Sequence, residues 1–105
     1  MNTPPRACIV TGSASGIGAA TVLALAAAGY HTVGLDLNTD GAQRVAMQAE
    51  LEYPGTRHDG LLCDVAEEAQ VVAAFHHAHE FLGSLDALVT SAGVVDTTPF
   101  MDISV

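Results

Sequence analysis

Three glycines, Gly12, Gly16 and Gly18, stand at Gly-x-x-x-Gly-x-Gly spacing within Thr11-Gly12-Ser13-Ala14-Ser15-Gly16-Ile17-Gly18. A turn of this kind, set between a strand and a helix, can hold the pyrophosphate of a dinucleotide. Each glycine has its own task. Gly12 lets the chain turn sharply out of the strand. Gly16 removes a Cβ where backbone must approach phosphate, and Gly18 lets helix and strand pack closely. The N–H groups of Ser15, Gly16, Ile17 and Gly18, with the helix dipole, would supply positive potential. Asp36 follows roughly 20 residues later, where a carboxylate can accept both hydroxyls of the adenosine ribose. That carboxylate would repel a 2′-phosphate. No Arg or Lys stands at Ser13, Ala14, Ser15 or Leu37 to neutralise one. The expected cofactor is therefore NAD rather than NADP.

Such a turn needs flanking elements, and the sequence supplies them. Arg6 to Thr11 reads as a short buried strand. Ser15 to Ala28 reads as a helix ended by Gly29, apolar nearly all round and so expected to press on a sheet. His31 to Leu37 is a second strand. Thr39 or Asp40 can cap a second helix that reaches about Leu51 and is broken at Tyr53-Pro54-Gly55. A third strand lies between Asp59 and Val65. Glu67 and Glu68 open a third helix, with Val71, Phe75, Ala78 and Leu82 as its buried stripe. Leu85 to Thr90 is a fourth strand, followed by a Ser91-Ala92-Gly93 turn. The alternation predicts an α/β, Rossmann-type doubly wound parallel sheet of about four strands, order 3-2-1-4, with helices on both faces. Strand four is then expected to be an apolar, unpaired edge, prone to aggregation or to pairing with another copy.

The chain has 105 residues, so one domain or less is expected. Half the residues are apolar and only 14% are charged, which is a globular rather than a disordered composition. Net charge is −9, and Arg6, Arg44 and Arg57 are the only Lys or Arg residues. Nucleic acid and anionic membrane surfaces are poor partners for such a chain, because both need clustered cations. No apolar run reaches membrane-spanning length, and Met1 to Arg6 lacks a signal-peptide pattern. Cys8 and Cys63 have no metal-ligand spacing, so a reduced, cytoplasmic protein is expected.

The Thr11-Gly-x-x-x-Gly-x-Gly form resembles the short-chain dehydrogenase/reductase family, and the resemblance runs along the whole chain. It implies hydride transfer between NAD(H) and an alcohol or ketone. Asp64-Val65 resembles the family's Asp-Val after the third strand. The resemblance implies that this carboxylate meets the adenine amino group and the following N–H meets the ring. Leu88-Val89-Thr90-Ser91-Ala92-Gly93 resembles the family's fourth-strand Asn-Asn-Ala-Gly segment, with Thr90 and Ser91 in place of the asparagines. Ser91, Ala92 and Gly93 are thereby implied to line the nicotinamide-side ribose. The family's Tyr-x-x-x-Lys pair has no counterpart. Tyr30 and Tyr53 are followed four residues on by Gly34 and Arg57, and there is no Lys. The expectation is the N-terminal, cofactor-binding part of one Rossmann domain (residues 1–105), without the catalytic part and with no catalytic residue of its own. Specificity loops and the oligomer-building helices would lie elsewhere, and a homo-oligomer is expected. A non-catalytic dinucleotide-binding module and one half of a split enzyme are the alternatives.

Other chemistry-bearing residues have plainer readings. His76, His77 and His79 are expected on a solvated face of the third helix, and no metal is expected. His31 and His58 fit loop or strand-edge positions. Cys8 and Cys63, on strands one and three, would lie roughly 9–10 Å apart, too far for a disulfide. Asp59 fits a surface loop, and Glu67 and Glu68 fit a dipole-favoured first turn. Asp96 and Asp102 fall in the tail with no assigned role.

Overall fold

Runs of residues with no hydrogen-bonding side chain go inside, and here they define the strands. The computed structural model describes residues 6–90 and 93–96. The order is β1 (Ala7–Thr11), α1 (Gly16–Ala27), β2 (His31–Asp36), α2 (Thr39–Glu52), β3 (His58–Leu62), α3 (Glu68–Leu82), β4 (Ala87–Thr90) and β5 (Gly93–Asp96). The sheet runs β3-β2-β1-β4-β5. The first four strands are parallel in the expected 3-2-1-4 order.

Side-chain alternation splits the core in two. Ile9, Val33, Leu35 and Leu88 join Cys63 and the α3 residues Ala74, Phe75 and Ala78. Val10 meets Val22 and Ala26 of α1 and Val45 and Ala49 of α2 on the other face. Helices therefore cover both faces of the sheet. Val71 and Leu82 complete the α3 stripe as half-buried residues.

Several boundaries differ from expectation for local reasons. The cap of α2 is Asn38, not Thr39 or Asp40, because its Oδ1 accepts from Gly41 N at 3.0 Å. β3 starts earlier, at His58, and ends at Leu62. Asp59 is thus a strand residue rather than a loop residue, and Cys63 lies just past the strand. β4 starts at Ala87, because Asp86 is occupied otherwise: its N–H donates to Ala7 O and its Oδ2 accepts from Ala7 N. Glu67 is the N-cap residue of α3, in extended backbone with no capping bond from its side chain. In α1 only Val22 and Ala26 are buried, so the all-round apolar helix is not enclosed.

The fourth strand is not an unpaired edge. β5 lies antiparallel along it, with Ala87 opposite Asp96 and Thr90 opposite Gly93. A hairpin return is the shortest way to satisfy the outer polar groups of an edge strand. Residues 91–92 and 97–105, including Ser91, Ala92 and Asp102, lie outside the described residues. At the opposite edge, three outward N–H groups along β3 and just beyond it are taken by side chains. His58 N donates to Glu50 Oε2, Gly60 N to Asp59 Oδ1 and Asp64 N to Gln70 Oε1, at 2.8–2.9 Å.

Candidate dinucleotide site

At the carboxyl end of β1 the chain must reverse direction within a few residues and start a helix. Gly12 and Gly16 make this possible, with φ of +67° and +60°, values that side-chain-bearing residues rarely adopt. Gly12 N donates to Leu35 O at 2.8 Å, which ties the turn to β2. Gly18 has ordinary helical backbone and a different constraint. A Cβ there would collide with the carbonyl oxygen of Gly12.

The start of α1 is left bare. Ser15 holds the N-cap position with φ −161°, yet its side chain makes no capping bond, and the first turn carries no acidic residue. The N–H groups of Gly16, Ile17 and Gly18 have no acceptor within the helix, as at any helix start. By contrast, α2 is capped by Asn38. A cleft of about 190 Å³ opens over the bare turn, between Gly12, Ser15 and Gly18 on one side and Val89 and Thr90 of β4 on the other. That is below the range of pockets that enclose a whole ligand, about 300–1,000 Å³. It suits a diphosphate, with larger groups lying along the surface to either side.

Asp36, the last residue of β2, is fixed by two backbone donors. Its Oδ2 accepts from Ala14 N at 3.0 Å and its Oδ1 from Asn38 N at 2.9 Å. The carboxylate therefore stands beside the glycine turn, 22 positions away from Ala14 in sequence. Among the described residues no arginine pairs with it. Arg6 and Arg57 lie at the amino ends of the strands, stacked on Tyr30 and Phe81 at 5.8 and 4.5 Å.

Asp64 and Val65 come off β3 at the same end of the sheet. Asp64 Oδ1 accepts from Ala66 N and its carbonyl from Glu67 N, which makes a tight turn into α3. Val65 and Leu37 are exposed at 61% and 67%, large apolar groups without cover. Ile17 is 80% exposed at the start of α1. Gly12, Ser15, Gly16, Ile17, Gly18, Asp36, Leu37, Asp64 and Val65 thus gather at the carboxyl ends of β1, β2 and β3. Gly93 opens β5, at the carboxyl end of β4.

Some supporting residues escaped the sequence reading. Ala14 lends only its N–H. Asn38 both caps α2 and donates to Asp36, and its Asn-x-x-Gly spacing was the available signal. Ser13 is 1% exposed, and its Oγ has no partner. It packs where Gly34 lacks a side chain, since a Cβ at Gly34 would strike it. Gly41 has Ala14 Cβ and the Asn38 side chain against it, which brings α2 close under the turn.

Of the remaining candidates, Cys63 immediately precedes Asp64 at this end of the sheet. His76, His77 and His79 are exposed on α3, as expected, and His77 Nε2 lies 3.3 Å from Asp59 Oδ2. Cys8 and Cys63 are buried free thiols. Burial and the charge of Asp86 push the Cys8 thiol up to about 11. Of the two positions expected for His58, it takes the strand edge: it opens the edge strand β3, and is 5% exposed.

Residues 6–105 match the short chain dehydrogenase family. The chain is 41% identical over 99 residues to D-threitol dehydrogenase of Mycolicibacterium smegmatis, covering 94% of this chain and 37% of that enzyme. It is 31% identical over 94 residues to a 3-oxoacyl-acyl-carrier-protein reductase of Escherichia coli, covering 90% of this chain and 36% of the other. The crystal structure of a hydroxysteroid dehydrogenase from Escherichia coli matches with a TM-score of 0.75 at 30% identity, over 81% of this chain and 35% of that one. A 3-ketoacyl-acyl-carrier-protein reductase from Brucella melitensis, complexed with NADH, matches with a TM-score of 0.71 at 29% identity, over 79% and 32% of the two chains. The chain thus spans about a third of the length of these relatives. The glycine turn, the parallel 3-2-1-4 order and the match over residues 6–105 have one reading in common: the chain belongs to the short chain dehydrogenase family.

Proposed function

We propose that this chain is the NAD-binding portion of a short-chain oxidoreductase. The observation that carries the reading is the lock between Asp36 and the glycine turn. The Ala14 N–H bond to Oδ2 orients the carboxylate beside the bare start of α1. Gly12, Ser15, Gly16, Ile17 and Gly18 would hold the pyrophosphate. Asp36 would accept the ribose hydroxyls, and Leu37 and Val65 would flank the adenine, with Asp64 accepting from its amino group. Ser91, Ala92 and Gly93 would line the nicotinamide-side ribose. The turn fits the group, because Gly12 and Gly16 carry no side chain and nothing lies within 4 Å of where a Cβ would stand on either. The NADH in the Brucella melitensis relative supports a nicotinamide cofactor.

Bound nicotinamide supplies or accepts hydride. The chain's own residues position it and exclude a 2′-phosphate. Proton transfer to an alcohol or ketone requires a group outside these elements, since no Tyr-x-x-x-Lys pair occurs in the sequence. We assign that group to further polypeptide, in the same chain or in a second one. The match to little more than a third of D-threitol dehydrogenase favours this over a free-standing non-catalytic module. A cytoplasmic location and homo-oligomeric assembly belong to the same proposal. No helix among the described residues is long and apolar enough to cross a membrane.

Calorimetric titration of NAD and NADP tests the reading. The unmutated chain should bind NAD at least tenfold more tightly. Asp36→Ala should weaken NAD and narrow that gap, since an unmatched charge or lost charge-assisted bond is worth about 1.5–3 kcal/mol. Equal affinity of the unmutated chain for both would overturn the cofactor assignment.

A further inference from the structure

At the pole of the sheet opposite the glycine turn, a buried histidine joins three elements. His58 opens β3. Its Nδ1 lies 2.6 Å from Thr32 Oγ1 on β2, and its Nε2 lies 2.7 Å from Thr56 Oγ1. The Thr56 hydroxyl also donates to Tyr53 O at 2.8 Å.

These contacts fix the direction of every proton. A carbonyl only accepts, so the single Thr56 hydroxyl proton goes to Tyr53 O. Thr56 Oγ1 must then accept from His58, which puts a hydrogen on Nε2. In the neutral ring Nδ1 is bare and accepts from the Thr32 hydroxyl. The relay Thr32→His58→Thr56→Tyr53 is saturated, and it ends on the C-cap residue of α2. Thr32 is fully buried, so a displaced hydroxyl has no access to water.

The geometry points to an acid-released latch: a proton taken up at His58 Nδ1 breaks the bond from Thr32 and frees the edge strand β3 from β2. Protonation turns the acceptor into a donor, so the Thr32 hydroxyl can only accept and must turn its own hydrogen away inside the core, and a cation is left in a site with little solvent. The charged neighbours divide. Glu50 of α2, whose Oε2 accepts from His58 N at 2.9 Å, favours the cation. His31 at the start of β2 opposes it, and Arg57 precedes it in the chain. Burial outweighs Glu50, and the His58 pKa is lowered from the ordinary 6.5. A lowered folded-state pKa means that the latch's contribution is complete above the unfolded value and is lost as pH falls through the folded one. β3 leads directly into Asp64 and Val65. On the reading that these contact adenine, release would dismantle that subsite from its far end.

Two measurements on the whole chain test the latch without any cofactor. Long-range proton–nitrogen spectra of the imidazoles at pH 7.5 should show His58 as the Nε2–H tautomer; the Nδ1–H tautomer would overturn the relay. Hydrogen exchange should then be followed at Thr32 N and Cys63 N, which bond to Arg57 O and Asp36 O across β2–β3. His31 N, bonded to Arg6 O just before β1, is the reference. Below pH 6.5 the β2–β3 opening equilibrium should rise relative to the reference by up to tenfold per pH unit, the limit for one proton. His58→Gln, which can accept from Thr32 and donate to Thr56 without titrating, should remove that rise. A rise of equal size in the variant, or equal rises at both strand pairs in the unmutated chain, would overturn the proposal. Failure of NAD to bind would leave these readouts unaffected.

Discussion

Replacing Gly18 with alanine isolates the contact on which the turn depends. In an open helix position this change helps, since alanine is about 1 kcal/mol better than glycine. Here the added Cβ meets the carbonyl oxygen and carbon of Gly12, with Ser13 Cα next. All of these are backbone atoms, so no side-chain rotation relieves the overlap, and α1 must move away from β1. Overpacking costs about 1–3 kcal/mol, and a backbone obstacle belongs at the upper end of that range. Subtracting the gain in propensity leaves a net loss of about 2 kcal/mol. At about 4–8 °C per kcal/mol for a domain near 100 residues, the melting point should fall by roughly 8–16 °C. Gly55→Ala is the matched control, because nothing lies within 4 Å of its Cβ position and its φ is not positive. It should be neutral or stabilising by up to about 1 kcal/mol. Urea unfolding of both variants against the unmutated chain, with slopes compared to verify a common unfolded state, provides the measurement. A Gly18→Ala midpoint at or above that of the parent would refute the close-packing argument.

Two further outcomes follow from charge and burial. The net charge of −9 repels an anionic dinucleotide at long range, while the N–H contacts that would hold it are short-ranged. Association of NAD should therefore quicken as salt rises from 10 to about 150 mM, which stopped-flow mixing can follow; slowing would indicate a cationic patch that steers the ligand. Cys8 is 1% exposed with its thiol pushed up to about 11, so at pH 8 it should react with a disulfide reagent only as fast as the chain opens. Reaction of the native chain at the rate of free cysteine would contradict its burial.

Much of this molecule was legible in its sequence because local patterns and tertiary structure agree. The apolar runs around Ile9 and Val33 could only be buried strands, and alternation with helices implied the parallel order. The glycine triplet and Asp36 were legible for the same reason, since both follow from strand, turn and helix spacing. What stayed hidden depends on contacts between distant residues. Asn38 was overlooked as the α2 cap because Thr39 and Asp40 are equally good capping types. Only the bond to Gly41 N decides among the three. The edge role foreseen for β4 failed because β5 is short and unremarkable as a sequence. Its pairing is settled by the hairpin, not by composition. The burial of His58 at the strand edge is not legible in sequence, because its partners, Thr32 and Thr56, come from a neighbouring strand and a turn. No spacing rule links residues 26 positions apart, as Thr32 and His58 are.

The side-chain bonds along β3 bear on how this sheet could grow. Strand-by-strand polymerisation is a chain reaction, and each unit needs two reactive borders to pass growth along. Glu50, Asp59 and Gln70 blunt one border by occupying three of its outward N–H groups. The other ends in β5, the last strand of the described sheet. A unit blunted along β3 cannot pass growth on through that side, whatever meets it there.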